Sequence, residues 1–547
     1  MILSVAKDGT GDYATIQAAV DAAPSGGRAP VIIHVGPGTY REKVHITKDH
    51  LRLVGAGADA TTLVFGDYAK QKLPNGTEKN TFLSYTLIIT GNHVELEHIT
   101  VQNDAGPGEL VGQAVAVYAA GDCGVFRNCR MIANQDTLFC GPTMQKVADH
   151  ALPYVLPVQS ASVGDAGYTG NRQYFEDCFI QGDVDFIFGP YRCWFERCTL
   201  VCNDKGSNEL NGYYTAANTP KDQPYGFVFH NCTLTGDGCA PETVYLGRPW
   251  RAYARTLFLD CHMDACVKSA GWEDWAEKPV TWRYGEYGTT GPRADTAARH
   301  KNATLLSPAE AQSVTLYQVI GGADRWNPAQ PEKTLYVAGD STASDYPEEL
   351  YPRAGWGQAL PALLQRTAVI NAAVSGRSSR SYIAEGRLER LADCLRKGDL
   401  LFIQFGHNDE KDDPDRATDA HTALPRFLRR FVEAAREKGA LPVLLTPIAR
   451  RRFANGTLTD THGEYPAAIR ALAAVEEAPL LDAERATFAA VAALGEDASK
   501  AWFLHLPAGH RNYPDGIADD THLCFDGAYE VAGLVLRLAR EAGLALE

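Results

Sequence analysis

Phe175-Glu-Asp-Cys178-Phe-Ile-Gln-Gly182-Asp-Val-Asp185-Phe-Ile-Phe-Gly189-Pro-Tyr-Arg-Cys-Trp-Phe195-Glu-Arg-Cys198 is the stretch that decides the fold of the first half of this chain. It opens and closes on one frame, a phenylalanine followed three positions later by cysteine. The frame recurs at Phe126-Arg-Asn-Cys129, Phe229-His-Asn-Cys232 and Phe258-Leu-Asp-Cys261, and Leu96-Glu-His-Ile99 fits it with apolar residues. From Cys178 through Cys198 and Cys232 to Cys261 the intervals are 20, 34 and 29 residues. A fixed short core at variable spacing suits a solenoid whose coils carry loops of different length. Both frame residues would point inward and stack on their neighbours, the cysteine serving as a small buried hydrophobe. From about Val31 to Tyr287, short runs rich in Val, Ile, Phe and Tyr alternate with Gly- and Asn-containing turns, without a βαβ rhythm. The expected architecture is an all-β, right-handed parallel β-helix.

At 547 residues the chain is too long for one core. Hydrophobic content of 45% and charged content of 22% are ordinary for a globular protein. The net charge of -15, with no basic stripe, argues against nucleic acid. It also means that a polyanionic substrate would need local positive charge at its cleft. No apolar run approaches the roughly 18 residues of a membrane span, so no membrane partner is expected. The N-terminus, Met1-Ile-Leu-Ser-Val-Ala-Lys-Asp8, shows no charged-then-apolar leader and leads into a strand and a helix over residues 14–23. The expectation is a cytoplasmic protein, or a secreted one if a leader was removed. Eleven of the 13 cysteines lie between Cys123 and Cys266. No CxxC pair occurs, so no structural metal is expected, and reduced, stacked thiols are favoured over disulfides.

Along the solenoid lie Gln113-Ala-Val-Ala-Val, Gln135-Asp136-Thr-Leu, Asp185-Phe-Ile-Phe-Gly and Leu246-Gly-Arg248-Pro-Trp250. Asp136 and Asp185 are 49 residues apart (185 minus 136), an interval expected to span a few coils and to leave both facing one groove. Two close carboxylates push their pKa values apart, leaving one ionised and one protonated. The ionised one can attack a carbonyl and the other can donate to the departing alcohol. Arg248 would keep the nucleophile ionised, and glutamine N–H groups would hold the developing oxyanion. Trp272, Trp275 and Trp282 read as packing. These strings, with Gly38-Thr-Tyr-Arg-Glu-Lys-Val and Gly182-Asp-Val-Asp, resemble those of pectin methylesterases over residues 5–328, in the family's order. The resemblance implies a cofactor-free hydrolase of polygalacturonate methyl esters. By it Asp185 is the nucleophile and Asp136 the acid/base. Gln113 and Gln135 stabilise the oxyanion, Arg248 binds Asp185 and Trp250 stacks on sugar. The stretch Pro142 to Gly170 looks like an insertion that overhangs the groove and favours short substrates.

Near Asn327-Pro-Ala-Gln-Pro-Glu-Lys333 the composition changes, marking a boundary between a domain over 1–328 and a second over 334–547. Downstream, apolar strands at Thr334–Ala338, Leu400–Gln404 and Pro442–Thr446 alternate with helical stretches such as Thr422–Lys438 and Tyr465–Val475. This predicts an α/β three-layer sandwich on a parallel sheet. Ser341 directly follows the first of those strands, where a nucleophile is expected. Asp519 and His522 stand three apart on what reads as one loop before a helix near Ala528, supplying a base and its orienting carboxylate. Asp520 is a rival for Asp519. Gly376 and Asn408 would add donors to an oxyanion hole. The strings Gly339-Asp-Ser341-Thr-Ala, Asn371-Ala-Ala-Val-Ser-Gly376-Arg-Ser-Ser, Gly406-His-Asn408-Asp and Asp519-Asp-Thr-His522 resemble those of SGNH hydrolases, and within them rhamnogalacturonan acetylesterases. By that resemblance Ser341 is nucleophile, His522 base and Asp519 orienter, with Gly376 and Asn408 in the oxyanion hole.

The combined expectation is a bifunctional esterase without cofactor or metal. It would take methyl and acetyl groups from pectin or pectic oligosaccharides. Two alternatives remain at this point. One is a pectate lyase or polygalacturonase chemistry on the β-helix, which the Gln135-Asp-Thr-Leu and Leu246-Gly-Arg-Pro-Trp strings disfavour. The other is a non-catalytic, carbohydrate-binding β-helix serving an acetylesterase.

Overall fold

A computed structural model of the chain describes residues 1–24, 30–143, 171–275, 281–322, 324, 326–330, 333–364 and 367–546. The chain divides into two compact units, whose main boundary falls between Pro331 and Glu332.

The first unit is a parallel β-helix of three sheets with eleven, eight and seven strands. Each complete coil gives one strand to each sheet, and the first sheet runs on beyond the complete coils at both ends. The stretch quoted above is one such coil. Arg172–Glu176 lies in the first sheet, Phe179–Gly182 in the second and Ile187–Gly189 in the third. Arg192–Glu196 then stacks in register on Arg172–Glu176, with Phe195 over Phe175. The inward phenylalanines form a column in which Phe126, Phe175, Phe195, Phe229 and Phe258 succeed one another at 4.6, 4.5, 4.3 and 4.6 Å. Identical residues meet because the strands are in parallel register, and offset stacking adds to the burial each ring already gains. The frame cysteines sit beside this column, buried, and all thirteen cysteines of the chain are free. The residue just before each frame cysteine turns the chain from the first sheet to the second with φ between 50° and 54° (Asn128, Asp177, Arg197, Asn231, Asp260). Asn and Asp tolerate that left-handed region best, which accounts for their prevalence there. The helix Ile16–Ala22 buries Ile16, Ala19 and Val20 in the same core. Outside the first sheet, Val319 and Ile320 of the helix Leu316–Ile320 cover Val125, Tyr174, Trp194 and Val228.

One expectation is corrected. Asp136 and Asp185 are not a few coils apart but on adjacent coils, because Leu138 pairs directly with Ile187 and Phe139 with Phe188. The extra length lies between Cys140 and Arg172, within a single coil, so it adds no rung to the stack. The expected overhang of Pro142–Gly170 falls, from residue 144 onward, outside the described residues.

The second unit is built on a five-stranded parallel sheet. Its strand order is Ala368–Asn371, Thr334–Gly339, Leu400–Gln404, Leu441–Leu445 and Leu480–Leu481. Leu335, Val337, Phe402 and Val443 face a core shared with Trp356 and Leu360 of the helix Trp356–Leu363 and Val531 and Val535 of the helix Phe525–Glu541. Tyr336, between Leu335 and Val337, points to the other face. Its hydroxyl donates to the carbonyl of Cys394, the last residue of the helix Arg387–Cys394, at 2.9 Å. Side chains alternate along a strand, so helices cover both faces and the unit has three layers.

Two details differ from expectation. The last helix begins at Phe525 rather than near Ala528. Asp519 and His522 lie not on a loop but on the strand Ile517–Cys524 of a small antiparallel sheet. Its pairing with Phe503–Leu506 jumps from Phe503–Leu523 to Leu504–Asp519, so Asp520 to His522 bulge out of the ladder. The bulge gives these residues the loop-like polarity seen in the sequence, and such irregularities re-aim side chains.

Candidate active sites

Asp136 and Asp185 occupy the same corner of adjacent coils, each two residues before its third-sheet strand. The two turns are tied by backbone bonds, Asp136 N–H to the Val184 carbonyl at 3.1 Å and Asp183 N–H to the Asn134 carbonyl at 2.9 Å. Both aspartates hold left-handed backbone, with φ of 67° and 52°, and both are only 8% exposed. Arg248 follows the strand Val244–Gly247, two coils beyond Asp185. Its Nε and Nη2 donate to the two Asp185 carboxylate oxygens at 2.8 Å each. Such a planar two-point pair fixes a carboxylate in its charged form. Asp136 has no such partner. Burial pushes its pKa well above the carboxylate range, the charge of Asp185 adds to the shift, and Arg248 only partly opposes it. The corner therefore treats its two acids unequally, favouring the charge on Asp185 and the proton on Asp136.

Gln113 lies on the coil before Asp136, with Ala114 N–H donating to the Gln135 carbonyl at 3.1 Å, so both half-buried glutamines belong to the same corner. Trp250 is half-buried at the edge. Its ring stands edge-on to Phe188 and Phe139 at 5.8 and 6.4 Å, and the Arg251 guanidinium lies over it at 5.0 Å. Two residues were missed from the sequence. The Arg248 guanidinium is sandwiched between the rings of Tyr213, at 4.0 Å, and Trp275, at 4.1 Å. Trp272 and Trp282 are buried as expected of packing residues, but Trp275 belongs to the site. Nothing in Trp275's own neighbourhood signals this, since only the folded coils bring it over Arg248. Tyr213 was findable, standing in the coil between those of Asp185 and Arg248.

In the second unit, Ser341 Oγ lies 3.0 Å from His522 Nε2, and His522 Nδ1 lies 2.7 Å from Asp519 Oδ2. Asp519 Oδ1 also accepts the backbone N–H groups of Thr521 and His522 at 2.8 and 3.0 Å. Although partial burial opposes it, His522 and these N–H groups hold Asp519 well below the usual carboxylate range. Asp520 faces away, bound to Arg451 at 2.6 Å and His505 at 2.7 Å, so it is not the triad member. The bulge re-aims Asp520 toward Arg451 and His505, which resolves the two candidates. Gly376 has φ of 80°, a conformation open to glycine at little cost. The buried Asn408 donates from Nδ2 to the Arg377 carbonyl at 3.1 Å, next to Gly376, so the loop and the amide are held together.

Beside Ser341, Asp340 accepts from Thr342 N–H at 2.9 Å and lies 3.3 Å from His407. The Tyr346 hydroxyl donates to the Ser341 carbonyl at 2.7 Å. His407 and Tyr346 are supporting residues that the motifs did not assign. Among the described residues, no group of three or more His, Cys, Asp or Glu is arranged to hold a metal ion. No helix among them is long and apolar enough to cross a membrane.

Two family models match different parts of the chain. The family model described as pectinesterase matches residues 2–151 and 143–323. That of the GDSL-like lipase/acylhydrolase family matches residues 337–524. "Probable pectinesterase/pectinesterase inhibitor 23" of Arabidopsis thaliana is 33% identical over 336 residues, covering 59% of this chain and 53% of its own length. A rhamnogalacturonan acetylesterase of Bacillus subtilis is 44% identical over 216 residues, covering 39% of this chain and 92% of its own length. This chain thus spans about half of the plant relative and nearly all of the bacterial one. A crystal structure of a pectin methylesterase in complex with a hexasaccharide superposes with a TM-score of 0.50 at 26% identity, covering 60% of this chain and 98% of that one.

Proposed function

We propose, from a chain that belongs to the pectinesterase family in its first unit and to the rhamnogalacturonan acetylesterases of the GDSL-like acylhydrolases in its second, that one protein removes both methyl and acetyl esters from pectic substrates. The observation that carries the first activity is the unequal treatment of two adjacent carboxylates. Arg248 holds Asp185 as an anion aimed at an ester carbonyl. Attack forms an acyl-enzyme anhydride, with the oxyanion taken by N–H groups of Gln113 and Gln135. Asp136 gives its proton to the departing methoxide and leaves as a base. It then takes a proton from the water that cleaves the anhydride, restoring both carboxyls. Trp250 offers an aromatic edge for a sugar ring.

In the second activity, His522 takes the Ser341 proton as Oγ attacks the acetyl carbonyl. Asp519 orients the imidazole and stabilises its charge. The backbone around Gly376 and the amide of Asn408 face the developing oxyanion. Water then releases acetate by the reverse proton path. The free thiols support work in a reducing compartment. Thiol titration in denaturant should find them reduced, and several disulfides by mass spectrometry would place the protein elsewhere. The central test is product analysis on methylated and acetylated pectin. Methanol and acetate should both appear without chain shortening. Acetate without methanol would reduce the β-helix to a binding module, and unsaturated or shortened products would make it a different enzyme.

A further inference from the structure

Of the thirteen cysteines, Cys239 and Cys524 alone are partly exposed. Cys524 shares its unit only with Cys394, which is fully buried and donates its thiol to the Arg390 carbonyl at 3.2 Å. Cys239 has thiols beside it. The strands Thr199–Asn203 and Thr233–Asp237 pair in parallel register, so Cys202 faces Gly236 on the next coil. Gly236 has no side chain to stack there, and Cys239, three residues on, folds back into the space. A Cβ on Gly236 would lie 2.7 Å from the Cys239 Cβ and 2.9 Å from its Sγ. Neighbouring strands lie about 4.8 Å apart, so Cys239 takes the rung next to Cys202. The Cys239 thiol donates to the Cys202 carbonyl at 3.3 Å. A hydrogen bond from the Cys202 thiol lowers the Cys239 pKa, against burial and the charges of Asp204 and Asp237, and the same contact raises that of Cys202. Cys266 is buried, with its sulfur 3.6 Å from the Tyr214 hydroxyl.

Cys239 is therefore the one cysteine at which exposure and a neighbouring thiol coincide. We infer that Cys239 and Cys202 form a reversible oxidation site for peroxides, with Cys239 the reacting thiol and Cys202 the resolving one. The Cys239 sulfur attacks one oxygen of hydrogen peroxide. An S–O bond forms, the O–O bond breaks, and the departing hydroxide takes up the thiol proton as water. The Cys202 thiol then attacks the sulfenic sulfur. An S–S bond forms, the S–O bond breaks, and a second water leaves. The two thiols lose two electrons and two protons, and the peroxide is reduced to two waters. The partner thiol stops Cys239 at a stage that reductant reverses, because a lone sulfenic acid can be oxidised further and irreversibly. This site is independent of either esterase reading.

The test treats the reduced full-length protein with hydrogen peroxide, then denatures, alkylates and digests it without reductant. Fragmentation in the mass spectrometer locates the joined residues. Cys202 and Cys239 should be linked, with loss of two hydrogens, and dithiothreitol should restore both thiols. Cys239→Ser should leave Cys202 a free thiol. Cys202→Ser should leave Cys239 as a sulfenic acid that dimedone labels, and longer exposure should carry it to a sulfinic acid that dithiothreitol does not reverse. Cys239 still reduced once Cys524 is oxidised would overturn the inference. So would a link from Cys239 to Cys266, or links among the buried frame cysteines with Cys239 untouched. These three outcomes are read on the wild-type chain, so they decide the matter even where a variant fails to fold.

Discussion

Asp136 and Asp519 are both carboxylates beside a proposed site of ester chemistry, yet their surroundings drive them in opposite directions. Asp136 is buried next to another anion and to no donor of its own, so it keeps its proton. Asp519 is half-open and meets two backbone N–H groups and an imidazole, so it gives its proton up. The β-helix reaches its state by stacking: whatever stands at one corner of a coil is forced against its equivalent on the next. The sandwich reaches its state by convergence, with strand ends bringing Ser341, Asn408 and His522 together from distant parts of the chain. In the first site the catalytic asymmetry comes from a third residue, Arg248, placed on only one of two equivalent acids. In the second it is built into a bulged strand.

The sharpest way to break this comparison is to remove each nucleophile. Asp185→Asn should lower methanol release by about 10⁴-fold or more while leaving acetate release intact, and Ser341→Ala should do the reverse. Loss of both activities in either variant would show that the sites are not independent. Next is the choice between neighbours on one strand. Asp519→Asn should cost acetate release about 10³- to 10⁴-fold, whereas Asp520→Asn should cost less than about 5-fold. Equal losses would mean that the Arg451 and His505 contacts matter as much as the triad. Smaller again is Arg248→Lys, which keeps the charge but loses the two-point pair. Methanol release should fall about 10- to 100-fold.

Stability should also divide by unit. Phe195 is fully buried between Phe175 and Phe229, and Phe195→Ala should destabilise the β-helix by about 3–5 kcal/mol. Heating would then abolish methanol release first. The smallest expected effect is on pH dependence. The folded pKa of Asp136 is raised, so the native state binds more protons than the unfolded one between the ordinary Asp value and the raised one. Its contribution to stability is present below the ordinary value and lost as pH rises through the folded pKa. Asp519 is the reverse, contributing above the ordinary value and losing that contribution as pH falls. Asp136→Asn should therefore flatten the decline of the β-helix transition with rising pH in calorimetry. An unchanged slope would place the proton elsewhere.

Much of this was legible in the residues themselves. The Phe-x-x-Cys frame points to a stack because a parallel coil puts like on like, and a period of one coil buries all five phenylalanines in one column. The motif residues determine which chemistry is available, since ester attack needs those carboxylates, that serine and that histidine. Helix and strand limits such as Leu400–Gln404 and Tyr465–Val475 follow from local periodicity, and the structure gives the same bounds. What tertiary structure alone decided is adjacency. The 49 residues from Asp136 to Asp185 cannot reveal that the excess sits inside one coil, because sequence distance does not separate a loop from a rung. Nor can the chain show that Trp275 closes over Arg248, or that Asp519 rather than Asp520 turns toward His522. Each depends on which face of a strand or coil a side chain takes once its neighbours are in place, and that is fixed by packing between segments rather than within them.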